Sequence, residues 1–276
     1  MENTARDKFY PTFNESVRLI IRILIASFFV GVPALTVWLI LRDSFNIQSE
    51  LIDSFVLLIV YSVPFILVSR LGVKRIRIWN DNDYRLNWKL PNAVNSLIIV
   101  ITCISVTVVM DPLDSLMPVP REYIEMMKNM AKPNVFSFLS IVVAAPLLEE
   151  IFFRGIILEG FLKNYSPKRA ILLSAAIFGA IHLNPWQASG AFLIGLLIGW
   201  LYWKTRSLIP GIIIHFINNA IAFFVILNFS GEIQTIRGWV GNSTTYWVIM
   251  GLSALLLVAG IYFLNGKLDT TSEMKK

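Results

Sequence analysis

The chain is short of charge. Asp, Glu, Lys and Arg make up 15% of its 276 residues, against roughly 25% in an ordinary soluble domain. With 56% of residues hydrophobic and a mean hydropathy of +0.66, a soluble fold would lack the polar side chains to cover its surface. That excludes a cytosolic globular domain, an intrinsically disordered chain and a nucleic-acid-binding module, despite a net charge of +6. Cysteine is almost absent too. Cys103 is the only one, so neither an internal disulfide nor a thiolate metal cluster can form, and its apolar surroundings mark it as a packing residue. There is no HExxH zinc signature, no Gly-x-Ser-x-Gly elbow, no internal repeat and no low-complexity tract. Histidine occurs only twice, at His182 and His215.

What the chain has instead is long apolar runs. A membrane span needs about 20 apolar residues, each adding roughly 1.5 Å across a core about 30 Å thick. The sequence predicts an all-α, polytopic membrane helical bundle of about eight spans. They are Ser16–Leu41, Leu51–Ser69, Ala93–Met110, Asn134–Leu162, two spans from the uncharged stretch Ala170–Trp203 split at Asn184-Pro185, Pro210–Phe229 and Thr244–Leu264. A polar stretch, Asp111–Pro133, holds Pro112, Pro118 and Pro120 and a short interfacial helix at Tyr123–Met130. Three parts follow: residues 1–133 with the first three spans, a core at 134–229, and a last span with its tail at 230–276.

Basic residues set the orientation. Arg6 and Lys8, the six between Arg70 and Lys89, the turn with Lys163, Lys168 and Arg169, then Lys204 and Arg206, and Lys267, Lys275 and Lys276 fall on one side of an eight-span chain. The opposite loops, near Asp43, Asp111 and Glu232, are poor in base. The positive-inside rule makes the basic side cytoplasmic, with both termini on it. Trp186, Tyr202, Trp203, Tyr246 and Trp247 fall near span ends, where amphipathic rings anchor at the interface. Ala191, Gly195 and Gly199 form a small-residue stripe that allows close helix packing.

Polar residues inside these runs need a reason, because ionisable groups in hydrocarbon are costly. The fourth span contains Glu149-Glu150-x-x-x-Arg154, just after Pro146, which should loosen the helix. Glu150 and Arg154 are four apart and share a face, so they pair. Glu149 points about 100° away and has no evident partner. The fifth span carries Phe178-x-x-x-His182 and the seventh His215-x-x-x-Asn219, each again matched at four residues, with Asn218 turned elsewhere. The bland reading is helix glue, since His and Asn often bridge membrane helices. Against it, both histidines of the chain fall inside spans and none in a loop. Glu149 lies about sixteen residues before the Tyr165-Ser166 turn and His182 about sixteen after it. An antiparallel hairpin then sets them at one depth, roughly 24 Å from the turn.

A carboxylate, two imidazoles and a carboxamide in a dry site suit amide hydrolysis. A carboxylate taken out of water is a better base near neutral pH. Glu149 would activate a water held by His182, while His215 and Asn219 would bind the oxyanion of the tetrahedral intermediate. The rival assignment is zinc, with Glu149, His182 and His215 as ligands and a position left for water.

The three motifs resemble those of the CPBP family, the CAAX proteases and bacteriocin-processing (Abi) enzymes, whose pattern is EExxxR, FxxxH and HxxxN or HxxxD. Glu149-Glu150-x-x-x-Arg154, Phe178-x-x-x-His182 and His215-x-x-x-Asn219 match in order on three separate spans. The resemblance implies a multi-pass intramembrane endopeptidase, glutamate-type or metal-dependent. Glu149 and His182 would activate water, and His215 and Asn219 would stabilise the oxyanion. Glu150, Arg154 and Phe178 would shape the site. It implies a peptide or membrane-protein substrate that is lipidated, hydrophobic or membrane-bound, and family links to bacteriocin immunity. Two other classes fit the same polar residues: a transporter with a proton relay, and a non-catalytic membrane partner or immunity protein. The transporter lacks the inverted repeat that such folds usually carry.

Overall fold

The computed structural model describes residues 8–116, 119–228 and 235–268. Arg6, Pro118, Phe229, Glu232, Lys275 and Lys276 lie outside them. Among the described residues the regular elements are all helices: α1 (Phe13–Ser44), α2 (Glu50–Trp79), α3 (Ala93–Leu116), α4 (Arg121–Met130), α5 (Val135–Asn164), α6 (Pro167–Ala180), α7 (Pro185–Thr205), α8 (Ile209–Asn228), α9 (Ile236–Val240) and α10 (Ser243–Lys267). The fold is the expected all-α bundle. Six helices are long and apolar enough to cross a membrane: α1, α2, most of α3, α5, α8 and α10. The two spans expected from Ala170–Trp203 are not among them. α6 has 14 residues, about 21 Å of rise against a core of about 30 Å. α7 has the length, at 21 residues, but is not apolar enough to count with the six. Large apolar side chains such as Phe29 on α1 and Leu255 on α10 stand exposed, as lipid-facing side chains do. The chain is an integral, multi-pass membrane protein.

The chain divides into two compact units, residues 1–86 with 132–174 and residues 87–131 with 175–276. In the first, α2 packs against both α1 and α5. Between α1 and α2, the Trp38 indole donates to Asp53 at 2.8 Å and Arg42 pairs with the same carboxylate at 3.5 Å. Asn134 starts α5 where the sequence suggested. Its side chain accepts from the Phe136 and Ser137 amides at 3.1 and 3.0 Å, and its own amide donates to Ser54 of α2 at 3.0 Å. Phe55 on Phe136 and Phe65 on Phe152 continue the α2–α5 seam as edge-on ring pairs.

α5 is not a uniform α-helix. It widens into π-helical turns at Leu139–Ala144 and again at Phe153–Leu158. The Ala145 amide reaches the Ser140 carbonyl and the Glu159 amide the Arg154 carbonyl, both five residues back. The first widened turn sits just ahead of Pro146, whose missing N–H disturbs the bonding ladder. In the second, the Tyr84 hydroxyl donates to the Gly155 carbonyl. Single π turns recur at functional sites because they redirect side chains. Here the two bracket the short α-helical stretch that carries Glu149 and Glu150.

In the second unit, α3, α7, α8 and α10 enclose a core that includes Ile99, Cys103, Ile194, Ile198, Ile214 and Leu264. Cys103 is fully buried there, with its thiol 3.6 Å from the Ile214 carbonyl, so it packs as expected. Gly195 of the small-residue stripe lets α7 approach α6. A Cβ on it would lie 3.3 Å from both the Ala175 Cβ and the Phe178 ring. Asp111, expected to open a polar loop, is instead a buried helical residue of α3 that accepts from the Ile236 amide. Tyr202 and Tyr246 are buried near the ends of α7 and α10. The short helix expected at Tyr123–Met130 is α4, which carries a polar and an apolar face and packs against α8.

Candidate functional site

The first unit holds the paired glutamates. Glu150 and Arg154 form a salt bridge at 2.9 Å, with side chains 0% and 1% exposed. The four-residue spacing holds the pair together as the sequence suggested. Glu149, on the adjacent helical position, is only partly buried. The partner that the sequence did not reveal is Tyr61 of α2, whose hydroxyl donates to Glu149 Oε1 at 2.5 Å. A signal for it exists in hindsight. Ser54, Phe65, Val68 and Gly72 form the buried stripe of α2, and Tyr61 falls on the same stripe at heptad-like spacing. A phenol on a packed stripe needs an acceptor.

The second unit holds the histidines. α6 ends at Ala180, so His182 stands just past the helix rather than inside a span. The His182 and Leu183 amides bond three residues back, at 3.2 Å each, and Leu183 takes a left-handed φ of 56°. Asn184 then caps α7 by accepting from the Gln187 amide, with Pro185 at the first helical position. His182 Nδ1 lies 2.9 Å from the Phe178 carbonyl oxygen. A carbonyl oxygen only accepts, so Nδ1 carries the proton, and Nε2 is the nitrogen left to face other partners. The motif spacing therefore sets the tautomer.

Phe178, 2% exposed, stands edge-on to both imidazoles. Its ring centroid is 5.4 Å from His182 and 5.6 Å from His215, with interplanar angles of 88° and 85°. Gly179 is needed beside it, because a Cβ there would lie 2.8 Å from the Ala188 carbonyl oxygen of α7. His182, His215 and Asn219 line one cavity of about 330 Å³. Asn218 lines it as well, contrary to the helical-wheel reading that turned it elsewhere; the cavity is wide enough to take two successive positions of α8. Trp186, read as an interface anchor, also lines it and packs against Tyr123 of α4 at 5.2 Å. Gln187, Thr107 and Met110 also line it, from positions that no motif marks.

The cavity thus offers two imidazoles, three carboxamides (Asn218, Asn219 and Gln187) and the Thr107 hydroxyl among apolar side chains. Such groups can hold water and bind a developing negative charge. Among the described residues, no group of three or more His, Cys, Asp or Glu is arranged to hold a metal ion.

Residues 131–221 match the family model described as Rce1-like, type II CAAX prenyl endopeptidase Rce1-like. No curated protein and no solved structure matches the chain. The matched stretch runs from just before α5 into α8 and takes in all three motifs, Glu149 to Asn219. That segment, about a third of the chain, is similar to the CAAX-type membrane endopeptidases that the CPBP motifs pointed to.

Proposed function

We propose that the protein hydrolyses a peptide bond in a lipidated, hydrophobic or membrane-associated peptide, with Glu149 as general base. In this reading Glu149 takes a proton from a water that His182 Nε2 also holds as acceptor. The water oxygen bonds to the scissile carbonyl carbon. The carbonyl electron pair becomes an oxyanion, to which His215 and Asn219 donate hydrogen bonds. The C–N bond then breaks as the proton passes from Glu149 to the leaving amine. Glu150 and Arg154 neutralise one another and hold the turn that presents Glu149.

The observation that carries the reading is the cavity of about 330 Å³ in which both histidines of the chain and Asn219 meet. Nothing in a purely structural role calls for that convergence in so apolar a chain. The family supports a peptidase, and membrane location supports a substrate that partitions into lipid.

The test is cleavage of a fluorogenic peptide library, prenylated peptides included, by detergent-purified protein, with metal content measured in the same preparation. Glu149→Gln should lower kcat by at least about a thousandfold, the scale of losing a general base and its proton transfers. Wild-type cleavage should survive chelators. Full activity in Glu149→Gln would refute the assignment, and activity that tracks stoichiometric zinc would replace it with metal chemistry.

A further inference from the structure

We infer that Tyr61 is a positioning residue for Glu149, assigning its two carboxylate oxygens different tasks; this rests on Glu149 being the general base. Tyr61 stands 88 positions from Glu149 in sequence, outside the segment that matches the family, yet both belong to the first unit. Its O–H reaches Oε1 at 2.5 Å, the short end of the range for an O–H donor on a carboxylate. The phenol is braced. Its ring lies 5.1 Å from Phe65, and Phe65 stands edge-on to Phe152 at 5.9 Å. Phe152 is on α5, three residues beyond Glu149. The hydroxyl and the carboxylate are therefore fixed to the same stretch of backbone by two routes, one polar and one aromatic.

The π turns explain why such a brace is needed. Glu149 lies in eight α-helical residues with a widened turn at each end. The Tyr61 hydroxyl adds a hold on Glu149 from a neighbouring helix, α2. An oxygen that already accepts a strong phenolic hydrogen bond is the weaker base of the two. Oε2 then takes the water proton, and Oε1 stays anchored through the cycle. Tyr61 gives up no proton and touches no substrate. Its contribution is orientation, which acts on the rate of the chemical step and leaves binding alone.

The experiment compares wild type, Tyr61→Phe, Glu149→Gln and the double variant of the full chain on a fluorogenic farnesylated peptide, with thermal midpoints measured in parallel. Tyr61→Phe keeps the ring against Phe65, so the midpoint should hold within about 2–4 °C, the shift that ~1 kcal/mol brings. Its kcat should fall roughly ten- to a hundredfold, the scale of a hydrogen bond to a charged group, with KM within about twofold. Replacing Tyr61 by p-aminophenylalanine, an N–H donor at the same reach, should recover part of the loss. Over the residual rate of Glu149→Gln, Tyr61→Phe should have no further effect. Unchanged kcat in Tyr61→Phe, or equal losses in both backgrounds, overturns the role of Tyr61 while Glu149→Gln remains inactive. An active Glu149→Gln overturns the base assignment instead.

Discussion

Removing Arg154 isolates the effect of charge in this fold. The Glu150 carboxylate and the Arg154 guanidinium meet at 2.9 Å, with 0% and 1% of their side chains exposed. At an effective dielectric constant of about 20, the gross attraction at that distance is about 6 kcal/mol. The net value is far smaller, because both ions have left water. Truncating one partner, however, strands the other. Arg154→Met leaves a fully buried carboxylate without its counter-ion, a change that costs about 3–5 kcal/mol. At ~2–4 °C per kcal/mol, the thermal midpoint in detergent should fall by roughly 6–20 °C. Cleavage should fall as well, since Glu149 sits on the same turn as Glu150. The double variant Glu150→Gln with Arg154→Met removes both charges and should regain more than half of the lost stability. Following intrinsic Trp fluorescence or light scattering on heating measures all three proteins. The reasoning fails if Arg154→Met melts with the wild type, or if the double variant is less stable than the single one.

Two further outcomes follow from the second unit. Phe178→Leu keeps most of the apolar volume, at a cost below about 1.5 kcal/mol, but loses the ring edges that set His182 and His215. Its kcat should fall at least roughly tenfold with little change in melting, and wild-type turnover would show that the imidazoles are held by other means. Gly179→Ala places a Cβ 2.8 Å from the Ala188 carbonyl, forcing α6 from α7 at about 1–3 kcal/mol. Gly251→Ala, where a Cβ meets nothing within 4 Å, is the control and should be neutral or slightly stabilising; equal melting of the two variants would contradict the packing argument.

What the sequence by itself determined is what local spacing determines. Scarce charge and long apolar runs establish a polytopic helical membrane protein, because no other surface suits those side chains. The four-residue intervals of Glu150 with Arg154 and of Phe178 with His182 bring each pair into contact, since such intervals bring side chains together on consecutive turns. Asn134 and Asn184-Pro185 mark where α5 and α7 begin, because capping is a short-range hydrogen bond. The packing role of Cys103 followed from its neighbours in the same way.

The tertiary structure decided what periodicity cannot carry. Tyr61 reaches Glu149 from another helix, and no regular spacing links residues that far apart. The two π turns of α5 answer to packing against α2 and to Tyr84 as much as to Pro146, so they leave no pattern in the apolar residues. His182 stands beyond the end of α6 because the helix stops at Ala180 and the backbone turns left-handed at Leu183, short of the break expected at Asn184-Pro185. Asn218 and Trp186 line the cavity because its width is set by which helices surround it. That enclosure, made by helices from distant parts of the chain, decides which polar residues can face a common space.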